Sequence, residues 1–293
     1  MNFEIIRVLA AIIGTALLAY QDGKTSFMDE RTLYAMLGIG ILLEIASLDF
    51  NFALWSLLGV AIILGGGYFA YRAGQFGMGD VLLFAALHAL LPIFPVGVMN
   101  QVTTILNLNL DLTLGLLLPP VFNILLVSSI LGLIGSSALY AYKLVKSKNK
   151  LKPDIKIALL SSLMCAVVFF LIISRGVSPA LLVGLIVIFA SMIFTFTFKD
   201  QVTNEVLITK LKINEIEDED ILAIENLDEK LVTKYKLEKV LTKSQVEILR
   251  EIEKKESMYE FPVFKHLPRF GPYILLALIL VLILGSPIIA LLL

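Results

Sequence analysis

The sequence predicts an all-α polytopic membrane protein with about eight transmembrane helices (six to eight) and a small cytosolic α+β module before the last helix. Of its 293 residues, 58% are apolar and 17% are charged, whereas a soluble domain is about 45–50% apolar and about 25% charged. Apolar stretches of about 20 residues recur along the chain, each long enough to cross hydrocarbon about 30 Å thick. This composition excludes a soluble globule and a disordered chain. The net charge of −1 gives no general attraction to nucleic acid.

The candidate spans follow one another from the amino terminus. They are residues 3–20, 32–48, 52–71, 81–98, 113–142, 156–174, 178–198 and 271–292. The second is short and carries Glu44. The fifth contains Pro119-Pro120, which predicts a kink or a start outside the bilayer.

The basic residues predict the orientation. If the N-terminus is outside and the spans alternate, all 24 Lys and Arg residues except Arg7 and Arg175 fall on the inner side. Such an excess of basic residues marks cytoplasmic segments. Glu4 and the single Arg7 make a poor basic region for a signal peptide, so residues 1–20 are expected to remain as a helix.

Residues 199–270 have a different composition, because they contain 16 acidic and 13 basic residues. Thr242 followed by Gln245 is typical of a capping box that opens a helix. One face of that helix would carry Val246, Leu249 and Ile252. Residues 221–224 are short enough for strands or turns, so we expect a small α+β cytosolic module. A solvated helical linker is the alternative.

Two carboxylates, Asp22 and Asp80, stand out because an ionisable group at membrane depth indicates a functional site. Asp22 follows the first span, Asp80 opens the fourth, and the predicted topology brings both to the cytosolic ends of their helices. The other carboxylates outside the charged segment have ordinary explanations in solvated loops, helix capping, snorkelling or protonation: Glu4, Asp29, Glu30, Glu44, Asp49, Asp111 and Asp154.

Two carboxylates at one membrane depth are the minimum requirement of an aspartic protease. At close range both cannot ionise, so one keeps its proton and the pair titrates as a unit. The ionised member takes a proton from water while the other donates to the scissile carbonyl oxygen. Gly77 and Gly79, in the string Gly77-Met78-Gly79-Asp80, lack Cβ atoms and so allow an extended peptide to approach. The alternative role of Asp80 is an ordinary helix cap at the interface.

The order of these features resembles the type IV prepilin peptidases. An aspartate just after the first span, two intervening spans and a GxGD motif opening the fourth are similar to the archaeal preflagellin/prepilin peptidases, or class III signal peptidases. The resemblance covers residues 1–98. It implies that Asp22 and Asp80 are the catalytic aspartates and that Gly77 and Gly79 are the motif glycines.

The resemblance also implies a reaction and a partner. The substrate would be an archaellin- or pilin-like precursor, cut at the cytosolic membrane boundary to remove a short basic leader. Asp29 and Glu30 lie on the same predicted side and are candidates for recognition of the leader's Lys or Arg residues; plain capping is the alternative. Bacterial relatives carry paired CxxC zinc motifs, whereas this chain has one cysteine, Cys165. We therefore expect no metal, no cofactor and no methylation activity.

The two histidines offer no rival chemistry. His88 lies eight residues beyond Asp80, about 12 Å along a helix at about 1.5 Å per residue, and His266 stands among basic residues. Structural roles are expected for both.

Three alternative functions remain open. A presenilin-like intramembrane protease would place its first aspartate directly after a tyrosine, whereas Gln21 separates Tyr20 from Asp22. A proton-coupled transporter would use the same carboxylates together with Glu44, although no internal repeat is evident. A membrane adaptor would use the charged module to bind a partner, but it would leave the GxGD motif without a role.

The expected organisation has four parts. Residues 1–98 form a four-helix catalytic core that carries both aspartates, residues 99–198 add further transmembrane helices, residues 199–270 form the charged module, and residues 271–293 form the last helix. The expected location is the cell membrane, with the active site and the module facing the cytoplasm. Membrane lipid is an expected partner and nucleic acid is not; the sequence leaves the filament subunit and the oligomeric state open.

Overall fold

The structure is a computed structural model. It describes residues 3–105, 118–147, 150–174, 179–217, 220–256, 258–265 and 267–285, apart from the side chains of residues 180 and 181. Parts of three predicted spans, residues 113–117, 178 and 286–292, lie outside the described residues, as do Arg175 and His266.

Four helices occupy the first 90 residues and follow one another through short loops. They are α1 (Glu4–Thr25), α2 (Glu30–Ala46), α3 (Phe50–Arg72) and α4 (Met78–Leu90). The carboxylates of Asp29 and Asp49 cap α2 and α3, each accepting a hydrogen bond of 3.0 Å from a backbone N–H three residues later. These bonds satisfy N–H groups that have no partner within their own helix.

Glycines on α2 and α3 let α4 pack closely against both helices. A Cβ atom added at Gly40 of α2 would lie 2.6 Å from the Cβ of Ala89, and one added at Gly67 of α3 would overlap the side chain of Val81. Small residues commonly allow such close approach in membrane proteins. The helix that carries Asp80 is therefore held between two neighbouring backbones.

The middle of the chain continues with further helices. They are α5 (Val96–Ile105), α6 (Pro120–Lys146), α7 (Ile155–Ile173), α8 (Pro179–Thr197) and α9 (Lys199–Val202). Pro120 is the first residue of α6, so the proline pair opens this helix instead of kinking it. The side chains of α7 are almost all exposed, as expected of a helix that faces lipid.

The number of spans corrects the expectation of about eight. Within the described residues, α1, α3, α6 and α7 are long and apolar enough to cross a membrane. A fifth is added if residues 182–197 and 199–207, bent by 71°, count as one span. The predicted span 81–98 is interrupted because α4 ends at Leu90, just before Pro92 and Pro95. The helical membrane architecture is confirmed, with fewer long helices than predicted.

The charged segment contains a small antiparallel sheet. Its strands are β1 (Ile208–Leu211), β2 (Ile221–Leu222) and β3 (Phe261–Phe264), in the order β1-β3-β2, with Ile208 and Ile221 both opposite Phe264. Two helices, α10 (Glu229–Tyr235) and α11 (Lys243–Glu256), complete the unit. As predicted, α11 follows Thr242, whose hydroxyl accepts a 3.4 Å hydrogen bond from the Gln245 N–H.

A separate apolar core lies beneath this sheet. Its most buried members are Leu222, Leu249, Ile252, Phe261 and Val263. The described residues of the segment thus form a sheet-and-helix unit, and the alternative of a helical linker is wrong for them.

The final described helix, α12 (Gly271–Leu284), returns the chain to the amino-terminal helices. It packs against α1 and α6, and its side chains join the main apolar core. Ile274, Ala277, Leu278 and Val281 are fully buried there. This packing brings the start of α12 to the end of α1 that carries Asp22.

A buried ion pair holds the other end of these helices together. Arg7 Nη1 of α1 lies 2.7 Å from Glu44 Oε1 of α2, and the Glu44 side chain is fully buried. The same Arg7 nitrogen lies 3.3 Å from the carbonyl oxygens of Ala89 and Leu90, at the end of α4. Because these carbonyls lack partners within their helix, Arg7 satisfies groups that would be costly to leave bare in lipid. The sequence interpretation had placed Arg7 on the outer side and had explained Glu44 on its own, without pairing the two residues.

We predict that Glu44→Ala destabilises the fold by about 3–5 kcal/mol, because removing one partner strands the other as a buried charge. The double variant Arg7→Met/Glu44→Met should recover part of that loss, as measured by thermal unfolding in detergent, because it removes the stranded charge but leaves the carbonyls of Ala89 and Leu90 without Arg7. Glu238→Ala, which breaks a half-exposed ion pair with Arg72, is the control and should cost at most about 1 kcal/mol. Additive losses in the double variant would contradict the pairing.

Candidate active site

Asp22 lies within α1 and not in the loop that the sequence predicted after the first span. The helix continues to Thr25 and ends at Ser26, which adopts a left-handed conformation with φ of 61°. Asp22 is 7% exposed and shares the buried face of α1 with Thr15 and Leu18. A carboxylate in this position requires a hydrogen-bond partner from another element.

Asp80 lies in the first turn of α4, and Gly77 is the residue that caps this helix. Asp80 is half-buried, and a Cβ atom added at Gly77 would lie 3.3 Å from Asp80 Oδ2. The positive end of the helix dipole favours an anion here. The position also fits the expectation of a carboxylate opening the fourth apolar stretch.

The two carboxylates share one neighbourhood, close enough for their charges to repel each other. Met28, in the loop between α1 and α2, joins their surroundings. A Cβ atom added at Gly79 would lie 3.4 Å from Met28 Cβ, and one added at Gly271 would lie 3.0 Å from Met28 Cε. The fold therefore places Asp22, Gly77, Gly79 and Asp80 near one another, and their catalytic role stays a prediction.

The partner of Asp22 comes from the far end of the chain. The backbone N–H of Gly271, the first residue of α12, donates a hydrogen bond of 2.8 Å to Asp22 Oδ2. The sequence interpretation missed this contact. The available signal was the pair Gly271-Pro272 at the start of the last predicted span.

Arg269 also attaches the start of α12 to the end of α1. Its Nη1 donates to the carbonyl oxygen of Gly23, and its Nε lies 3.3 Å from Ser26 Oγ. Its positive charge also acts on the Asp22 carboxylate. The loop after Asp22 is thus tied to the segment that precedes α12.

Asp29 and Glu30, the candidates for leader recognition, lie at the start of α2. The Asp29 carboxylate accepts hydrogen bonds from the N–H and hydroxyl of Thr32, at 3.0 and 2.8 Å. These bonds hold the pKa of Asp29 below its usual value. The cap is therefore fully present at pH values above the usual carboxyl pKa and is lost as the pH falls through the lowered pKa. Glu30 is exposed. Capping engages one oxygen of Asp29. The charges of Asp29 and Glu30 both remain at the surface near Asp22.

The charged segment touches the loop that precedes Asp80. Arg72, the last residue of α3, forms a 3.1 Å ion pair with Glu238. Gly74 has a positive φ of 69°, and a Cβ atom added there would lie 3.6 Å from Lys239 Cδ. The sheet-and-helix unit and α3 therefore meet beside the GxGD motif.

Other candidate ligands lie away from this site. Among the described residues, no cluster of three or more His, Cys, Asp or Glu side chains is arranged to hold a metal ion. Cys165 is buried in α7. His88 faces Gly59 of α3, on the contact between α3 and α4. Neither side chain takes part in the contacts around Asp22 and Asp80.

Comparison with known proteins shows which family part of this chain is similar to. Residues 9–137, which include Asp22 and Asp80, match the model of the type IV leader peptidase family. The prepilin peptidase EppA of Methanothermobacter thermautotrophicus is 30% identical over 99 residues, which are 32% of this chain and 26% of that protein. The resemblance to the prepilin peptidases is confirmed by these two matches. The aligned part spans about a quarter of the relative's length, and no solved structure matches the chain significantly.

We predict that alanine is tolerated structurally at Gly79 and not at Gly67. A Cβ at 79 meets Met28 at ordinary contact distance and raises helix propensity, whereas one at 67 overlaps Val81. Gly79→Ala should keep or raise the thermal midpoint in detergent, and Gly67→Ala should lower it. Gly66→Ala, which points into open space, is the control. Equal midpoints for Gly66→Ala and Gly67→Ala would contradict the packing of α3 on α4.

Proposed function

We propose that this protein is a membrane aspartic endopeptidase that removes the short basic leader from archaellin- or pilin-like precursors, with Asp22 and Asp80 as the catalytic pair. The single observation that carries the proposal is the shared neighbourhood of two carboxylates inside a segment matching the leader peptidase family. The matches to leader-processing proteins favour this function over a presenilin-like protease, a transporter or an adaptor.

The reaction needs one proton on the pair. A water molecule lies between the carboxyls, the ionised member removes a proton from it, and the water oxygen attacks the scissile carbonyl carbon. The protonated member donates its proton to the carbonyl oxygen, which gives a neutral tetrahedral intermediate. Collapse of this intermediate breaks the C–N bond, and the proton taken from water passes to the leaving amine. A hydroxyl proton of the intermediate returns to the carboxylate that had donated one, which restores the singly protonated pair.

The glycines have a role in substrate approach. Gly77 and Gly79 flank the start of α4, and backbone without Cβ atoms lets an extended peptide lie against Asp80. Because Gly79→Ala fits the resting fold, a loss of cleavage in that variant would report on substrate approach and not on folding. Gly77 differs, since a Cβ there would also press on the Asp80 carboxylate.

The proposed placement in the cell follows from the basic residues. The N-terminus is outside, and the end of α1 that carries Asp22 faces the cytoplasm together with residues 199–270. A leader bond at the inner membrane boundary then lies beside the pair. Residues 1–98 supply both carboxylates, residues 99–198 add helices around them, and residues 271–293 form the last helix.

We expect Asp22→Asn and Asp80→Asn each to lower cleavage of a leader-bearing archaellin or pilin precursor by at least about 10²-fold, the lower range of general acid–base catalysis. The measurement is the precursor's change in size after incubation with purified full-length protein. Asp154→Asn is the matched control, because Asp154 caps α7 and asparagine caps equally well. Full cleavage by either variant of the pair would overturn the proposed mechanism.

We expect Asp29→Asn/Glu30→Gln to raise the KM for a precursor with Lys or Arg in its leader by about two- to fivefold, the range of exposed ion pairs. The kcat should not change, because the substitution keeps the helix cap and lies outside the reacting pair. A leader with Lys and Arg replaced by Gln should show no difference, and high salt should abolish the effect. An equal KM increase for both leaders would contradict charge recognition.

A further inference from the structure

We infer that the start of α12, which lies outside the family-matched segment, positions Asp22 as the ionised, proton-accepting carboxylate and leaves Asp80 as the proton donor. This assignment rests on the proposed function and goes beyond it, because the matched residues 9–137 include neither Gly271 nor Arg269. Both are positioning residues, acting through Asp22 and not on the substrate.

The hydrogen bond from Gly271 is specific in its geometry. Pro272, the next residue, has no N–H, and the Tyr273 N–H is used by the carbonyl of Phe270 at 3.0 Å. The Gly271 N–H is the donor at this helix start that reaches the Asp22 carboxylate, at 2.8 Å. A Cβ atom at 271 would lie 3.0 Å from Asp22 Oδ2 and 3.1 Å from Asp22 Cβ. A side chain at 271 would therefore press on Asp22, which would have to shift by a few tenths of an ångström.

The charges around the two carboxylates differ. Each carboxylate lies at a helix N-terminus that favours its anion, Asp22 at the start of α12 and Asp80 at the start of α4. Asp22 differs in that the positive charge of Arg269 also acts on it. The charged group that acts on Asp80 is Asp22 itself, and a neighbouring anion disfavours a second one. The shared proton consequently resides on Asp80, which can give it to the carbonyl oxygen.

The residue before Gly271 couples the same segment to the helix of Asp80. The ring centroid of Phe270 lies 6.0 Å from that of Phe76, in the loop before the GxGD motif, and 6.5 Å from that of Phe84 of α4. Distances of this size are typical of favourable aromatic pairs. Residues 269–271 therefore bridge α1 and α4, and they fix the two carboxylates relative to each other.

The first test is Gly271→Ala. The added methyl group presses on the Asp22 side chain and shifts it by a few tenths of an ångström, so we expect kcat for the leader-bearing precursor to fall by about tenfold, less than the roughly 10²-fold loss that a displacement of about 1 Å can cause. The KM should change little because a positioning residue acts through Asp22 and not on the substrate. Gly38→Ala, where a Cβ meets open space, is the matched control with wild-type kcat. A wild-type kcat in Gly271→Ala would overturn the inference.

The second test uses Arg269, whose exposed side chain can be changed with little effect on the core. In Arg269→Gln the loss of positive charge should move the acid limb of the pH profile of kcat/KM to higher pH, whereas Arg269→Lys should keep the wild-type limb. A role in folding alone would lower the amount of active protein and leave the limb unmoved. An unchanged limb in Arg269→Gln would contradict the electrostatic assignment.

The two proposals fail in different ways. If Asp22→Asn or Asp80→Asn retains full cleavage, the proposed function is wrong. If both abolish cleavage while Gly271→Ala and Arg269→Gln behave as wild type, the assignment of α12 is wrong and the catalytic pair stands.

Discussion

The hydrogen bond from the Gly271 N–H to the buried Asp22 carboxylate is the interaction on which the candidate site depends. Burying a carboxylate near the end of a helix costs free energy unless a hydrogen-bond donor compensates for the lost water. Helix α1 supplies no such donor to the Asp22 side chain. The donor comes from α12, after the chain has passed through the other helices and the sheet-and-helix unit. The packing of α12 on α1 and α6 is therefore part of the chemistry of the site as well as of the fold.

The helix of Asp80 is constrained along its whole length. Phe76, just before this helix, and Phe84, at its middle, pack against Phe270. At its end, Arg7 binds the carbonyl oxygens of Ala89 and Leu90. Between its two ends, glycines on α2 and α3 let α4 pack closely against both helices. A short helix with fixed ends holds its first turn in one place, which is the requirement for a pair of carboxylates that must act on one water molecule.

Much of this arrangement could be predicted from the sequence. Composition and the recurrence of apolar stretches predicted a helical membrane protein, and the GxGD string with an aspartate after the first span predicted the shared neighbourhood of Asp22 and Asp80. The number of long helices was wrong, because apolar stretches continue past the point where prolines end a helix, as after Leu90. The Gly271 contact joins residues 249 positions apart, so no local pattern could reveal it.

The most direct test of the central claim is whether positions 22 and 80 meet. In a Cys165→Ser background, Asp22→Cys/Asp80→Cys should be joined by a short bifunctional thiol reagent in membranes. Leu48→Cys/Asp80→Cys should not be joined, because position 48 lies just after α2, at the end of that helix far from Asp22. Joining of the 48–80 pair in preference to the 22–80 pair, or labelling of positions 22 and 80 from opposite faces of the membrane, would contradict the account.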